Sequence, residues 1–123
     1  VNGQVVEVQG FKIDTLAEIE IDSKGVQVLK KKKTIILNKP VGIVSHLEQE
    51  GQVAAWQLIQ LKNCSDKPDK KEISEICHRS KEFSVAGRLD RDSRGLLILT
   101  ENGRVTKMIT GHHGVEKEYL WLI

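Results

Sequence analysis

The first part of the chain contains four short segments in which hydrophobic and polar residues alternate, at 5–8, 11–13, 17–21 and 26–29. An apolar residue at every second position is typical of a half-buried β-strand, because successive side chains of a strand point to opposite faces. Asn2-Gly3 and other glycine-containing pairs separate these segments, as turns between antiparallel strands would. Residues 1–29 therefore predict a small antiparallel β unit, which is too short to bury a core by itself.

The remainder of the chain predicts more strands than helices. Apolar runs favour strands at 34–38, 43–45, 83–89, 96–100 and 118–123, and amphipathic spacing favours short helices at 53–61, around 71–77 and at 104–109. Residues 62–80 are densely charged and contain Pro68, which is typical of a polar surface insertion. Strands that follow one another with few helices indicate an α+β fold with a largely antiparallel mixed sheet rather than a doubly wound fold.

Charge is informative here through its distribution rather than its total. The 123 residues are 39% hydrophobic and carry a formal net charge of +2, which is ordinary for a globular protein and too near neutral to announce nucleic-acid binding by itself. No apolar run approaches the roughly 18 residues that a membrane-spanning helix needs. Positive charge is concentrated in Lys30, Lys31, Lys32 and Lys33, which form either a solvated linker or a contact with a phosphate backbone.

The cysteines do not indicate a metal centre. Cys64 and Cys77 form no CxxC pair, and adding His78 or the pair His112 and His113 matches no standard ligand spacing. We therefore expect no metal site. The thiols are expected to be free in a reducing compartment, either the cytoplasm or an organelle such as a plastid.

One segment concentrates charge between two apolar strands. Residues 85–100 read VAGRLDRDSRGLLILT, with two aspartates and three arginines inside seven positions. Asp90 directly follows Leu89 and precedes a second apolar run, so we expect it at the edge of a packed core in a rigid position. Neighbouring arginines would keep its carboxylate ionised, as a nucleophile or base at neutral pH requires. A solvated loop of pairing charges explains the same composition, and the spacing alone does not decide between them.

Three motifs, in this order along the chain, resemble those of RNA pseudouridine synthases, and most closely those of the RsuA-like family. Residues 37–45 (LNKPVGIVS) resemble the first motif of the family, 87–103 (GRLDRDSRGLLILTENG) resemble the segment with its aspartate, and 116–120 (EKEYL) resemble its Lys-x-Tyr motif. The resemblance extends over residues 1–123, with 62–80 longer than usual. It implies the first half of the catalytic domain at 34–123, a basic linker at 30–33 and the C-terminal β part of an S4-like RNA-binding domain at 1–29.

The resemblance also implies a reaction and roles for individual residues. Enzymes of this family isomerise uridine to pseudouridine in structured RNA, ribosomal RNA or tRNA, by flipping the base and without a cofactor. By match of motif, Asp90 is the catalytic residue, and Arg88, Tyr119 and Lys117 bind the substrate, with Tyr119 stacking on the base. The lysines of the basic run bind RNA. Asp92 is interpreted as a turn residue paired with an arginine. The residues implied to be structural are Lys39, Pro40, Gly87, Leu89 and Gly95.

The same resemblance implies that the chain is a piece of an enzyme. The paired helices of the S4 domain would precede Val1, and a later motif, whose arginine pairs with the catalytic aspartate, would follow Ile123. The isolated chain is then expected to be inactive. The alternative function is a non-catalytic RNA-binding or ribosome-associated module. The oligomeric state stays open, although an unfinished sheet could pair with a second copy of the chain through its exposed edge.

Overall fold

A computed structural model of the chain describes residues 1–46, 48–66 and 69–122, without the side chain of Leu29. The chain divides into two compact units, Val1–Lys31 and Lys32–Ile123. The division lies inside the run of four lysines. None of the helices among the described residues is long and apolar enough to cross a membrane.

The first unit consists of turns followed by one helix, α1, which covers Ser23–Lys31. The predicted turn at Asn2-Gly3 is confirmed, because both residues have positive φ angles (49° and 78°) and the Gln4 N–H donates to the Val1 carbonyl over 2.9 Å. The predicted strands are wrong: residues 1–22 contain none, and 26–29 are helical. Without a neighbouring strand in this unit, a helix satisfies the backbone hydrogen bonds internally. An S4-like module at 1–29 stays a prediction, and it has to accommodate α1.

A three-stranded antiparallel sheet is the centre of the second unit. Its strands are β1 (Thr34–Lys39), β2 (Ser84–Ala86) and β3 (Gly95–Thr100), in the spatial order β1-β3-β2. Leu97 of β3 pairs with Leu37 of β1, and its neighbour Ile98 pairs with Ala86 of β2. The predicted α+β class with an antiparallel sheet is therefore confirmed. Parallel pairing among the described residues is limited to one isolated bridge between Val44 and Ala54.

One face of this sheet carries the hydrophobic core. Leu97 and Leu99 of β3 are buried together with Ala55 and Phe83. Half-buried apolar side chains pack around them: Ile35, Leu37, Ile43, Trp56, Ile59, Ile76, Val85 and Leu89. The opposite face leaves Ile36 73% exposed and Leu96 66% exposed. The difference in burial between the two faces follows from the two-residue period of a strand, since successive side chains point in opposite directions.

Short helices complete the second unit. α2 covers Lys70–His78 and α3 covers Gly103–Thr110, so the helices predicted around 71–77 and at 104–109 are confirmed. Asp69 and Asn102 cap their N-termini, because each side-chain oxygen accepts a backbone N–H two residues later. Single 3₁₀ turns lie at Ala55–Leu58, Leu61–Asn63 and Ser80–Glu82.

Three element predictions for this unit are wrong. The helix predicted at 53–61 is replaced by two 3₁₀ turns, and the strand predicted at 43–45 is reduced to the bridge at Val44. Residues 118–122 form no strand. The last position of that predicted strand, Ile123, lies outside the described residues. A strand needs a hydrogen-bonded neighbour, and an apolar pattern alone does not supply one.

Within the polar stretch at 62–80, residues 62–66 are exposed, whereas α2 packs against the core. Ile73 of α2 is buried, and Ile76 packs against the core. Arg79, at the end of α2, donates from Nε and Nη2 to the Glu101 carboxylate over 2.9 and 3.0 Å. The Lys33 N–H donates to the same carboxylate over 3.1 Å. α2 is thereby attached to both long strands, while Pro68 lies outside the described residues.

Candidate functional site

Asp90 lies in the loop that connects β2 to β3. Its backbone carbonyl accepts the Ser93 N–H over 3.0 Å, which closes a turn, and its side chain is exposed. The sequence predicts Asp90 at the edge of a packed core, and this holds for its backbone but not for its side chain. The preceding Leu89 packs against the core, whereas the carboxylate reaches solvent, where an ionised group is best stabilised in the absence of a buried partner.

Ser45 holds the backbone immediately before Asp90. Its side-chain oxygen donates to the Leu89 carbonyl over 2.6 Å and accepts the Leu89 N–H over 2.9 Å. Ser45 is only 7% exposed. The buried hydroxyl of Ser45 therefore provides a hydrogen-bond partner for both the N–H and the carbonyl of Leu89.

Lys39 holds the backbone immediately after Asp90. Its side chain is fully buried, and Nζ donates to the carbonyls of Pro40 (3.0 Å), Ile43 (2.7 Å) and Arg91 (3.3 Å). The Gly42 N–H donates to the same Arg91 carbonyl over 2.7 Å. Residues 39–45, which we call the clamp segment, therefore fix the backbone of the Asp90 loop from both sides.

The buried ammonium of Lys39 also shapes the local electrostatics. Burial lowers the pKa of Lys39 below its ordinary value of 10.5, and the negative charges of Asp92 and Asp90 oppose that shift. Three carbonyl acceptors take up the three donors of the ammonium, which is the condition for burying a charge without a large penalty. Coulomb attraction acts in both directions, so the positive charge of Lys39 also attracts the carboxylates of Asp90 and Asp92.

Two glycines flank the loop with backbone conformations that other residues rarely adopt. Gly87, directly after β2, has φ of +94°, and Gly95, at the start of β3, has φ of +131°. Open space surrounds the position of a Cβ at both residues, so the requirement for glycine comes from the backbone and not from packing. Pro40, another of the residues predicted to be structural, is exposed at the turn after β1.

Arg88 lies between Gly87 and Leu89 with an exposed side chain. β2 ends at Ala86, so Arg88 and Asp90 lie in the loop after the strand and not on a common strand face. An open depression of about 340 Å³ is lined by His46, Ser84, Val85, Gly87, Arg88 and Thr110. Asp90 does not line this depression.

Tyr119 and Lys117 lie in a segment without regular secondary structure. Tyr119 is 58% exposed. Lys117 Nζ donates to the carbonyls of Ile109 (2.6 Å) and Val115 (3.1 Å), which attaches this segment to the end of α3. Because 118–122 form no strand, Tyr119 and Lys117 do not lie on a common strand face. Within the described residues, no hydrogen bond joins Tyr119 to the Asp90 loop.

The four lysines of the basic run have different surroundings. Lys30 and Lys31 form the last turn of α1 instead of a linker, and Lys32 is exposed. Lys33 Nζ lies 2.6 Å from a carboxylate oxygen of Glu72, and its backbone pairs with Glu101. The run therefore combines three exposed cations with one that is already paired.

The thiols and histidines form no metal cluster in the part of the chain that the structure describes. Cys64 is exposed, Cys77 is half-buried, and both are free thiols. Cys77 lines an open groove of about 500 Å³ together with Trp56 and Ile73. None of the residues of the Asp90 loop lines this groove.

Sequence reasoning missed the roles of Ser45 and Gly42 in fixing the Asp90 loop. A signal for Ser45 is present, because it follows the largely apolar run Val41 to Val44 and a hydroxyl buried beside such a run needs a hydrogen-bond partner. The sequence alone does not name that partner.

Comparisons with known proteins agree on one family. The model of a family described as RNA pseudouridylate synthase matches residues 33–123. An uncharacterized RNA pseudouridine synthase of Aquifex aeolicus is 32% identical over 121 residues, which are 98% of this chain and 44% of that protein.

Two further relatives carry more specific names. The dual-specificity RNA pseudouridine synthase RluF of Escherichia coli is 37% identical over 87 residues, which are 70% of this chain and 24% of that protein. The ribosomal small subunit pseudouridine synthase A of Yersinia pestis is 26% identical over 121 residues, which are 98% of this chain and 45% of that protein. The chain thus spans less than half the length of these curated relatives.

Proposed function

The chain belongs to the RNA pseudouridylate synthase family, and from this premise we propose that the whole protein isomerises uridine to pseudouridine in structured RNA, with Asp90 as the catalytic residue. Ribosomal RNA is the proposed substrate class, because one relative is named for the small ribosomal subunit. The proposal concerns the whole protein, since the chain spans less than half of its relatives.

The proposed reaction rearranges bonds within one nucleotide. The glycosidic C1′–N1 bond breaks, the base turns, a C1′–C5 bond forms, and one proton passes from C5 to N1. Nothing is oxidised or reduced, so the reaction calls for a positioned carboxylate instead of a redox cofactor. The Asp90 carboxylate would start it either as a nucleophile towards the sugar or base, or as a base towards the C2′ proton.

The observation that carries the proposal is the fixed backbone around an exposed carboxylate. Ser45 bonds the residue before Asp90, and Lys39 and Gly42 bond the residue after it. A catalytic group acts efficiently when its supporting backbone is already held in place, because less freedom is lost on reaching the transition state. An exposed carboxylate on such a loop is accessible to a nucleotide that has been flipped out of an RNA helix.

Three exposed side chains supply the proposed contacts with RNA. Arg88 is exposed and two residues from Asp90, where its guanidinium can bind a phosphate through two parallel hydrogen bonds. Tyr119 is 58% exposed, which leaves its ring available to stack on the flipped base. Lys117 would assist by holding the segment of Tyr119 through its bonds to Ile109 and Val115.

The substitution Asp90→Asn tests this function. In the full-length protein, we expect pseudouridine formation in a ribosomal RNA transcript to fall by a factor on the order of 10³ or more, because the amide can act neither as a nucleophile nor as a base. The unfolding midpoint should not change, since the side chain is exposed. Asp92→Asn, two positions away in the same loop, is the matched control and should retain most of the turnover.

Two results would contradict the proposal. Wild-type turnover in the Asp90→Asn variant would remove the carboxylate from the chemistry. Tight RNA binding without any pseudouridine formation by the wild-type protein would instead favour the non-catalytic RNA-binding module.

A further inference from the structure

Ser45 is the one buried side chain that contacts both backbone polar groups of the residue preceding Asp90, among the residues that the structure describes. The two hydrogen bonds measure 2.6 and 2.9 Å and bridge positions 44 residues apart in the sequence. They therefore define tertiary structure at the loop and are not a local turn.

These bonds restrict the orientation of the backbone from which the Asp90 side chain extends. The Leu89 carbonyl and the Asp90 nitrogen belong to one planar peptide group, so a hydrogen bond to that carbonyl orients the plane from which the Asp90 Cα extends. The bond from the Leu89 N–H to Ser45 orients the peptide plane on the other side of Leu89. With both planes held, little rotation remains at the residue before the carboxylate.

The Asp90 side chain has no comparable support of its own. Within the described residues, no side-chain hydrogen bond restrains its carboxylate, and the group is exposed to solvent. Its location relative to a bound nucleotide thus depends on the backbone to which it is attached. A displacement of about 1 Å at a reacting group is enough to lower a rate on the order of 100-fold.

We propose that Ser45 is a positioning residue for the Asp90 carboxylate, acting through the two hydrogen bonds to Leu89. The inference rests on the proposed function, since it assigns to Ser45 the task of placing the group that reacts. Ser45 itself does not contact the substrate. Its contribution is therefore expected in the rate of the chemical step and not in the affinity for RNA.

The test compares three substitutions of Ser45 in the full-length protein acting on a ribosomal RNA transcript. Ser45→Ala removes both hydrogen bonds and should lower kcat by about 10- to 100-fold, with KM within about threefold of wild type. Ser45→Thr keeps the hydroxyl and should restore at least part of kcat. Ser45→Cys keeps the size of the side chain with weaker hydrogen bonds, and should fall between wild type and Ser45→Ala.

Thr100→Val is the matched control for the loss of a buried hydroxyl. Thr100 is 2% exposed and its hydroxyl bonds Thr34 Oγ1 over 2.8 Å, at the end of β3 remote from the loop. Its substitution should lower the unfolding midpoint about as much as Ser45→Ala does, while kcat measured well below that midpoint stays at the wild-type value. If Ser45→Ala does not fold, the comparison of Ser45→Cys with Thr100→Val decides.

The outcomes separate this inference from the proposed function. Wild-type protein without activity overturns both. Active wild-type protein combined with wild-type kcat in the folded Ser45 variants overturns the positioning role alone. A loss of kcat in Ser45→Ala that the smaller fraction of folded protein explains completely also overturns it.

Discussion

The ammonium group of Lys39 has no access to solvent and has three carbonyl oxygens within hydrogen-bond distance. A charge in such a place is stabilised only while every donor has an acceptor. In return, the Ile43 carbonyl accepts from Lys39, and the Arg91 carbonyl accepts from both Lys39 and the Gly42 N–H. The residue therefore acts as a buried cross-link between the end of β1 and the Asp90 loop.

Replacing Lys39 by methionine should remove this cross-link while keeping a side chain of similar length. We expect the free energy of unfolding to fall by about 2–4 kcal/mol, because partly buried carbonyl groups lose a donor. Urea unfolding at neutral pH measures the change. Lys107→Met on the exposed face of α3 is the control and should stay within about 0.5 kcal/mol of wild type. Equal stability of the two variants would show that the buried contacts of Lys39 contribute nothing.

At the level of single residues, sequence and structure supply different information. The motif at residues 87–103 identifies Asp90 from the sequence because the motif consists of residues that directly precede and follow Asp90 in the chain. The contacts that hold Asp90 could not be predicted in this way, since Ser45 and Lys39 reach partners 44 and 52 positions away. Such pairings depend on how β1 and β3 align in the sheet, which the residue pattern does not specify.

At the level of elements, the sequence predicts those whose hydrogen bonds have partners. β1 and β3 are predicted nearly to their ends because each apolar run pairs with the other across six positions. Residues 26–29 and 118–122 have equally good strand patterns but pair with no strand among the described residues, and neither forms one. An apolar pattern therefore indicates a strand in this chain only where a hydrogen-bonded neighbour is also present.

The ion pair between Arg79 and Glu101 attaches α2 to the end of β3 and makes the stability of the fold depend on pH. The side-chain hydrogen bonds from Arg79 hold the pKa of Glu101 below its ordinary value of 4.5, and the Lys33 N–H adds to this shift while burial opposes it. A carboxyl group with a lowered pKa in the folded state stabilises the fold when it is ionised. That contribution is complete above pH 4.5 and is lost as the pH falls through the lowered pKa.

The substitution Glu101→Gln should therefore cost more stability at neutral pH than in acid. We expect a loss of about 1.5–3 kcal/mol at neutral pH, typical of hydrogen bonds to a charged group. The difference from wild type should shrink as the pH is lowered below 4.5, because wild-type Glu101 then becomes neutral as well. Urea unfolding over a series of pH values measures both quantities.

Glu72→Gln provides the control for this pH dependence. Glu72 also pairs with a lysine, but both side chains are 40% exposed or more, and such surface pairs contribute about 0–1 kcal/mol. A constant difference between wild type and Glu101→Gln from neutral to acid pH would show that ionisation of Glu101 does not stabilise the fold.

At the scale of the whole molecule, the run of four lysines lies where the two compact units divide. Lys30 and Lys31 end the first unit, and Lys32 and Lys33 begin the second. Composition alone treats the four as equivalent, whereas the structure distinguishes Lys33, whose ammonium is paired with Glu72. If this run binds RNA, three of its lysines should contribute most of the electrostatic attraction.

The triple substitution of Lys30, Lys31 and Lys32 by glutamine should weaken RNA binding and lower its dependence on salt. Each cation that neutralises a phosphate contributes about 0.9 to the slope of log K against log salt concentration, so the slope should decrease by up to roughly 2.7. Lys33→Gln is the matched control and should change the slope much less, because that charge is already compensated within the protein. Binding of an RNA transcript measured over a series of KCl concentrations gives both slopes. An unchanged slope in the triple variant would show that the run connects the units and does not bind RNA. An equal change of the slope in Lys33→Gln would mean that RNA displaces Glu72 from Lys33.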